Sequence, residues 1–142
     1  MNINQALKVK NRLISEINEH AEITQRFNSI EKGNLRRYSI KDSLAKIESL
    51  TLELVELKTK IHKANEPVLD KIFLMSELKS FVKNLKKIPV EEGTITSRYG
   101  QVQEQKEVEI NISELKQIIK EVERKISEIQ DELDVFNATT EI

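Results

Sequence analysis

The sequence predicts a mainly α-helical protein, with four long helices in antiparallel coiled-coil or bundle packing and a short β-hairpin between helices three and four. Charged residues make up 33% of the 142-residue chain and hydrophobic residues 38%, a balance typical of long amphipathic helices around a thin core. The chain has only three Gly and two Pro, so few turns interrupt its elements. An unbroken heptad pattern in the last quarter of the chain completes the argument.

The helix expected at about 113–136 carries that heptad pattern. Nearly every residue between its apolar positions is charged or polar, and such a narrow stripe is buried only when another helix lies along it. Asn111 or Ser113 is the expected N-cap, with Glu114 close behind. The apolar positions alternate in steps of four and three and are Leu115, Ile119, Val122, Ile126, Ile129, Leu133 and Phe136.

Two helices are expected in the first half of the chain, at about 3–26 and 40–64. Lys10 interrupts the first seam, where its long side chain can reach solvent and help to fix the register. The first seam comprises Ile3, Leu7, Ile14, Ile17 and Ala21, widened by Leu13, Ile23 and Phe27. The second comprises Leu50, Leu54, Leu57, Ile61 and Ala64, extended backwards by Leu44 and Ile47, with Leu52 and Val55 outside it.

The segment between these helices contains a turn signal at Gly33-Asn34, followed by Arg36-Arg37-Tyr38. Two interpretations are open for the arginine pair. It belongs to a solvated or ion-paired loop, or it contacts a phosphate or a nucleic acid. Two adjacent arginines in a loop are a weak signal, so the first interpretation is favoured.

Helix three is expected at about 67–87, with Asn65 as N-cap and Pro67 in its first turn. Its apolar residues cover more than half of the helix circumference, so it is predicted to be the most buried helix. Lys83, Lys86 and Lys87 gather at its C-terminal end, where positive charge favours the helix dipole. These apolar residues are Leu69, Ile72, Phe73, Leu74, Met75, Leu78, Phe81, Val82 and Leu85.

The period changes to two after Pro89, which predicts a β element at about 94–112. Thr94–Thr96 and Gln101–Gln103 alternate around Tyr99-Gly100, and residues 107–112 alternate without a break. Two or three short strands are expected, with Val108, Ile110 and Ile112 on one face. Because an isolated hairpin is marginal in water, this element must pack on a helix or on another chain.

Composition favours a cytoplasmic protein that forms a single helical domain over residues 1–142. The net charge of −1 creates no long-range field for nucleic acid or an anionic membrane. The absence of Cys excludes disulfides, thiol catalysis and Cys-based zinc sites. No secretion signal is visible at the start of the sequence, and no apolar run approaches the roughly 20 residues that span a bilayer.

No catalytic constellation is found, so no catalytic, cofactor-binding or metal-binding residue is predicted. His20 and His62 lie on different helices among polar neighbours and are expected to be exposed. Helical pyrophosphohydrolases hold magnesium with paired Glu-Glu-x-x-Glu and Glu-x-x-Asp motifs on facing helices. Glu128 and Asp131 supply the second spacing, but Glu91-Glu92 falls in a predicted loop. The acidic side of helix four, which includes Glu128, Asp131, Glu132 and Asp134, is therefore interpreted as a solvated face.

Five short strings are Ala6-Leu7, residues 28–33, residues 61–65, residues 108–115 and residues 129–141. Together they resemble a small family of uncharacterised bacterial proteins that carries the label septicolysin-like. The resemblance implies a mostly helical protein with a small β element, and it supplies no catalytic residues. The order and spacing of these strings cover nearly the whole chain, and the chain departs from the family at Ala138, where Trp is common.

The expected function is that of a non-enzymatic interaction or assembly protein that forms a homo-oligomer through its helix seams. No nucleic acid, membrane or cofactor is expected as a partner. Two alternatives remain open. One is a membrane-active cytolysin, which the family resemblance implies, and the other is a prefoldin-like holdase chaperone, because that fold also combines long helices with β-hairpins.

Overall fold

A computed structural model describes residues 1–96, 100 and 103–142, and shows a mainly helical chain with one short antiparallel β-hairpin. This confirms the predicted fold class at the coarse level. The elements are α1 (Ile3–Phe27), α2 (Ile40–Asn65), α3 (Leu69–Leu85), β1 (Gly93–Thr96), β2 (Gln103–Lys106) and α4 (Ile112–Thr139).

The prediction that α2 ends before a new N-cap and that α3 starts as a separate helix is wrong. A single 3-10 turn, Glu66–Val68, joins the two helices, so helical backbone runs from 40 to 85 without a loop. Pro67 is accommodated within this turn, and Asn65 is the last residue of α2 rather than an N-cap. Pro lacks an amide hydrogen, and a 3-10 turn absorbs this loss without ending the helical path. Counted as uninterrupted helical stretches, the described residues contain three rather than four.

The chain divides into two compact units. The first comprises Met1–Pro67 and Val135–Ile142, and the second comprises Val68–Asp134. In the first unit α1 and α2 lie antiparallel. His20 Nδ1 lies 3.4 Å from Ser43 Oγ near one end of the pair, and Met1 and Lys60 line one concavity at the other.

The seam of α1 is centred differently from the prediction. Its buried residues are Ile3, Ala6 and Leu13, whereas Ile14 and Ile17 are only partly buried. Ala6 was missed because the predicted seam was placed through its neighbour Leu7, which is only partly buried. A helix pair can approach closely at a small residue such as Ala6.

The seam of α2 holds from Ile47 to Ala64, where every predicted position is buried or partly buried. Leu44 does not extend it, because Leu44 is exposed and Ser43 occupies the buried position instead. Ser43 lies seven residues before Leu50, so the two residues share one line on the helix. Leu52 and Val55 lie outside the seam, as predicted.

The two ends of the chain meet in the first unit. The amide of Ile3 donates to the carbonyl of Thr140 at 3.0 Å, and the amide of Ile142 donates to that of Met1 at 3.0 Å. Asn2 and Gln5 form a capping box at the start of α1. The Asn2 side chain also donates to the carbonyl of Ala138 at 3.1 Å, so one residue caps α1 and contacts the end of α4.

In the second unit α3 and α4 also run antiparallel. Lys71 pairs with Glu132 at 2.5 Å and Lys86 with Glu123 at 3.6 Å, so contacts move backwards along α4 as they move forwards along α3. The buried core of this unit is formed by Val82, Leu85, Leu115 and Val122. Leu78, Val90, Ile110, Ile119 and Ile126 are partly buried against it.

The heptad seam predicted for α4 is confirmed, since all seven of its positions are buried or partly buried. Of the two candidate N-caps, Asn111 is correct and Ser113 is not. The Asn111 side-chain oxygen accepts from the amide of Glu114 at 2.8 Å, which satisfies one of the free amides of the first turn.

The β-hairpin is shorter than predicted. Thr94–Thr96 lies in β1, whose register with β2 runs from Gly93 opposite Lys106 to Thr96 opposite Gln103. Residues 107–112 form no strand in the described part of the chain, and Ile112 already belongs to α4. Continuing the register would place Glu92 opposite Glu107, and like charges directly opposite are unfavourable. The predicted turn residue Tyr99 and strand residues Gln101 and Val102 lie outside the described residues.

Candidate interaction surface

Helix α3 exposes three of its largest apolar side chains. The exposed fractions are 63% for Phe73, 50% for Leu74 and 46% for Phe81. The prediction that α3 is the most buried helix is therefore wrong for a single copy of the chain. Only Val82 and Leu85 of α3 fall in the buried class.

These three side chains share one side of the helix, which we call the α3 apolar face (Phe73, Leu74 and Phe81). At roughly 100° of rotation per residue they fall within about a third of the circumference. Val82 and Leu85 lie on the neighbouring stripe of the helix, where they join the core with Leu115 and Val122 of α4. One stripe of α3 therefore packs in the core of its own unit, while the stripe beside it is exposed.

Leu74 and Phe81 of the α3 apolar face share one line of the helix with three polar residues. The residues Asp70, Leu74, Glu77, Phe81 and Asn84 alternate in steps of four and three, as the positions of a coiled-coil seam do. All five are exposed. The acidic residues lie in the N-terminal part of this line, whereas the exposed Lys83 and Lys87 lie at the C-terminal end.

A weaker apolar surface lies on α2 in the first unit. Leu44, Leu52 and Val55 are all more than half exposed. This surface carries no aromatic side chain. Aromatic residues contribute the largest buried area per side chain at interfaces, so the α3 apolar face is the stronger candidate.

Arg36, the first of the two arginines in the 28–39 segment, contacts backbone carbonyls. Arg36 donates to the carbonyl of Phe27 at 2.7 Å and to that of Asn28 at 3.1 Å, so it caps the C-terminal end of α1. Tyr38 packs on Phe27 with ring centroids 4.8 Å apart. An open concavity of about 580 Å³ lies beside Arg37. Arg36 therefore has a structural role that neither sequence interpretation foresaw.

Three of the four acidic residues named above on α4 contact nearby cations or amides. Glu128 pairs with Arg124, Glu132 with Lys71, and the Asp134 carboxylate accepts from the Gln130 amide at 2.7 Å. Among the described residues no group of three His, Cys, Asp or Glu side chains is placed to hold a metal ion. Glu91 lies in a loop, 4.0 Å from Lys106. Glu91 and Glu92 lie outside the helices, whereas the paired motif of a helical pyrophosphohydrolase would need them on a helix that faces Glu128 and Asp131.

Local ion pairs perturb a few surface groups. A hydrogen bond from Arg124 and its positive charge lower the pKa of Glu121, and Lys60 lowers the pKa of Glu56 in the same way. A hydrogen bond to Glu132 and its negative charge raise the pKa of Lys71. All three groups lie on the surface, so these shifts reflect pairing between neighbouring side chains rather than a buried reactive centre.

The two histidines differ. His62 is exposed, as predicted, whereas His20 is partly buried beside Ser43 in the α1–α2 seam. The sequence offered one signal for this placement. Ala6, Leu13, His20 and Phe27 recur at steps of seven, a period that places them on one line of α1.

Comparisons with known proteins find no matching family model, no matching curated protein and no matching solved structure. Among the described residues, no helix combines the length and apolar character that crossing a bilayer requires.

Proposed function

We propose that this chain is a non-enzymatic interaction protein of the cytoplasm that assembles with copies of itself through helix faces. The observation that carries the proposal is the α3 apolar face, whose three large side chains are 46–63% exposed on one helix. Exposed apolar surfaces of this kind mark interaction sites when several large side chains are contiguous. Single exposed apolar residues elsewhere on the chain need no such explanation.

Burial of these side chains would stabilise an assembly. Full burial of an exposed Phe or Leu side chain contributes roughly 1.5–3 kcal/mol, and these side chains are already about half buried, so each adds about half of that before the cost of association is subtracted. Three such side chains on each copy therefore support a moderate affinity. The expected assembly dissociates on dilution.

Molar mass in solution tests this proposal. Light scattering after size exclusion should give a multiple of 16.5 kDa at high concentration, decreasing toward 16.5 kDa on dilution. A mass of one chain at every accessible concentration would contradict self-association. Fractionation of cells that produce the chain tests the cytoplasmic location.

A prefoldin-like holdase is the second candidate. Its support is the order of the second unit, in which antiparallel α3 and α4 are connected through an exposed β-hairpin. Such a chaperone would hold an unfolded client on exposed apolar side chains. Suppression of the aggregation of a heat-denatured client at equimolar ratio would favour this candidate, and an unchanged aggregation rate would reject it.

A further inference from the structure

We propose that the open concavity beside Arg37 binds a small organic molecule that carries a phosphomonoester. This inference is independent of the proposed self-association, because no residue of the α3 apolar face takes part in it. The concavity has a volume of about 580 Å³, which falls within the range of roughly 300–1,000 Å³ that is usual for small-molecule sites. Its lining includes Arg36, Arg37, Tyr38, Ser39, Lys41 and Leu44.

The charged side chains of this lining all have the same sign. They belong to Arg36, Arg37 and Lys41, and none of the described residues that line the concavity is Asp or Glu. Asp42 follows Lys41 directly in the chain but does not belong to the lining. The whole chain has 23 basic and 24 acidic residues, so the excess of positive charge is a local property. A concavity lined by one sign of charge concentrates ligands of the opposite sign, which favours an anion.

The polar groups of the lining are hydrogen-bond donors that suit a phosphate. The guanidinium of Arg37 is planar, and such groups bind phosphate oxygens through two parallel N–H bonds. The Lys41 ammonium provides further N–H donors. Ser39 Oγ accepts from the amide of Asp42 at 3.2 Å, a bond that uses a lone pair rather than the hydroxyl hydrogen. A phosphomonoester accepts hydrogen bonds through three oxygens and carries most of two negative charges at neutral pH.

The residues on either side of Arg37 hold its backbone in place. Arg36 donates to the carbonyl of Phe27 at 2.7 Å and to that of Asn28 at 3.1 Å. The Tyr38 ring packs on Phe27 with the two ring centroids 4.8 Å apart. Both neighbours of Arg37 are therefore attached to the end of α1. A site whose backbone is already in place loses less conformational entropy when a ligand binds.

The concavity also has an apolar side, formed by Tyr38 and Leu44. The exposed fractions of these side chains are 42% and 54%. Inorganic phosphate would leave both surfaces in contact with water, whereas an aromatic or aliphatic group attached to the phosphate would cover them. The lining therefore fits an organic phosphomonoester better than inorganic phosphate.

Titration of the full-length chain with adenosine monophosphate, followed through backbone amide chemical shifts, tests this site. We expect a dissociation constant of about 0.1–1 mM, with the shifts concentrated at residues 36–44. Arg37→Gln and Lys41→Gln should each weaken binding about five- to tenfold, because each removes a charge-assisted contact. Lys32→Gln and Lys46→Gln are the matched controls, since both lysines are exposed and neither lines the concavity.

Two further probes identify the source of the phosphate group. Inorganic phosphate should bind about fivefold more weakly than adenosine monophosphate, and Leu44→Ser should remove this difference. Phosphatidylcholine vesicles with and without phosphatidic acid test a lipid headgroup. Tighter binding to the phosphatidic acid vesicles than to adenosine monophosphate, lost in Arg37→Gln, would assign the phosphate to a lipid and overturn the soluble ligand.

Two results would overturn the site itself. One is the absence of binding by adenosine monophosphate, by inorganic phosphate and by the vesicles, with the soluble probes at up to about 10 mM. The other is an equal loss of affinity in Arg37→Gln and Lys32→Gln, which would reveal a general attraction to positive charge. Molar mass measured in the same samples reports self-association separately, so each proposal can fail without the other.

Discussion

Individual buried side chains determine the stability of the α1–α2 pair. Leu13 retains 2% of its accessible surface and sits on the same line of α1 as Ala6. Truncation of a fully buried Leu to Ala typically costs about 2–5 kcal/mol, because the apolar contacts are lost and a cavity remains. We therefore expect Leu13→Ala to lower the free energy of unfolding by an amount in this range.

Chemical denaturation of Leu13→Ala and Leu52→Ala checks this expectation. The two substitutions remove the same atoms, but Leu52 is exposed, so its variant should change stability by less than about 0.5 kcal/mol. Similar losses in both variants would show that Leu13 is not part of a packed core.

The Arg124 and Glu121 pair on α4 predicts a dependence on pH. Arg124 holds the pKa of Glu121 below its usual value of 4.5. A lowered carboxyl pKa adds stability that is fully present above the usual value and disappears as the pH falls through the lowered value. Wild type should therefore melt slightly above Arg124→Gln at pH 7, and the difference should vanish in strong acid.

Thermal melting of both proteins across the acid range measures this effect. Lys116→Gln removes a positive charge from the same helix without breaking the Arg124 pairs, so it serves as the control. A difference that stays constant down to the lowest pH would mean that Arg124 contributes through packing rather than through charge. The effect should also decrease at high salt, because both groups lie on the surface.

Some residue placements could not be read from the sequence. Large apolar residues in a heptad are visible, whereas Ala6 and Ser43 are buried by the position they occupy rather than by their own hydrophobicity. His20 is a polar residue, yet it lies in the seam. It follows Leu13 by seven residues, or two helical turns, and therefore lies on the same line of α1. Arg36 was noticed for its charge, but its hydrogen bonds go to backbone carbonyls, which no side-chain pattern reveals.

At the scale of elements, Leu115 and Ile118 of α4 provide a matched comparison. Leu115 is buried against Val82 and Leu85, whereas Ile118 lies near the edge of the seam and is 36% exposed. We expect Leu115→Ala to cost about 2–5 kcal/mol and Ile118→Ala substantially less. Urea denaturation of both variants tests this order, and a reversed order would reject the assigned seam.

An element could be predicted from the sequence when the residues that determine it lie close together in the chain. The a/d period of α4 and the Asn111 cap are local features, and both were found. The extent of the β-hairpin depends on which residues oppose each other across the register, so alternation at residues 107–112 gave a false strand. The burial of α3 depends on what packs around it. Its broad apolar surface was read as deep burial, although only one side is covered within the chain.

At the scale of the whole molecule, the proposal of a non-enzymatic protein can be challenged directly. Glu128, Glu132 and Asp134 contact individual partners on the helix surface, and we expect no magnesium-dependent hydrolysis of nucleoside triphosphates. Phosphate release measured with and without magnesium checks this. Hydrolysis abolished by Glu128→Ala or Asp131→Ala, but not by Glu114→Ala, would establish an enzyme.

The alternative of a membrane-active cytolysin leads to a second test at this scale. A cytolysin would insert apolar side chains into a bilayer, and the α3 apolar face is the surface it would use. We expect micromolar protein to leave dye-filled vesicles of neutral and anionic phospholipids intact. Dye release that Phe81→Ser abolishes would replace self-association with membrane activity as the role of this face.

The stability of the assembled protein should depend on its concentration. Binding of a second copy to the folded chain stabilises it by mass action, so a hundredfold dilution removes up to about 2.7 kcal/mol. For a chain of this size the melting temperature of the wild type should then decrease by several degrees. Phe81→Ser should melt at nearly the same temperature at every concentration, because Phe81 is half exposed in the single chain and its loss affects mainly the assembly. Calorimetry over this dilution series, with Leu52→Ser as the exposed control, measures both effects. If dilution changed the melting temperature of all three proteins by the same amount, the α3 apolar face would remain uncovered in solution.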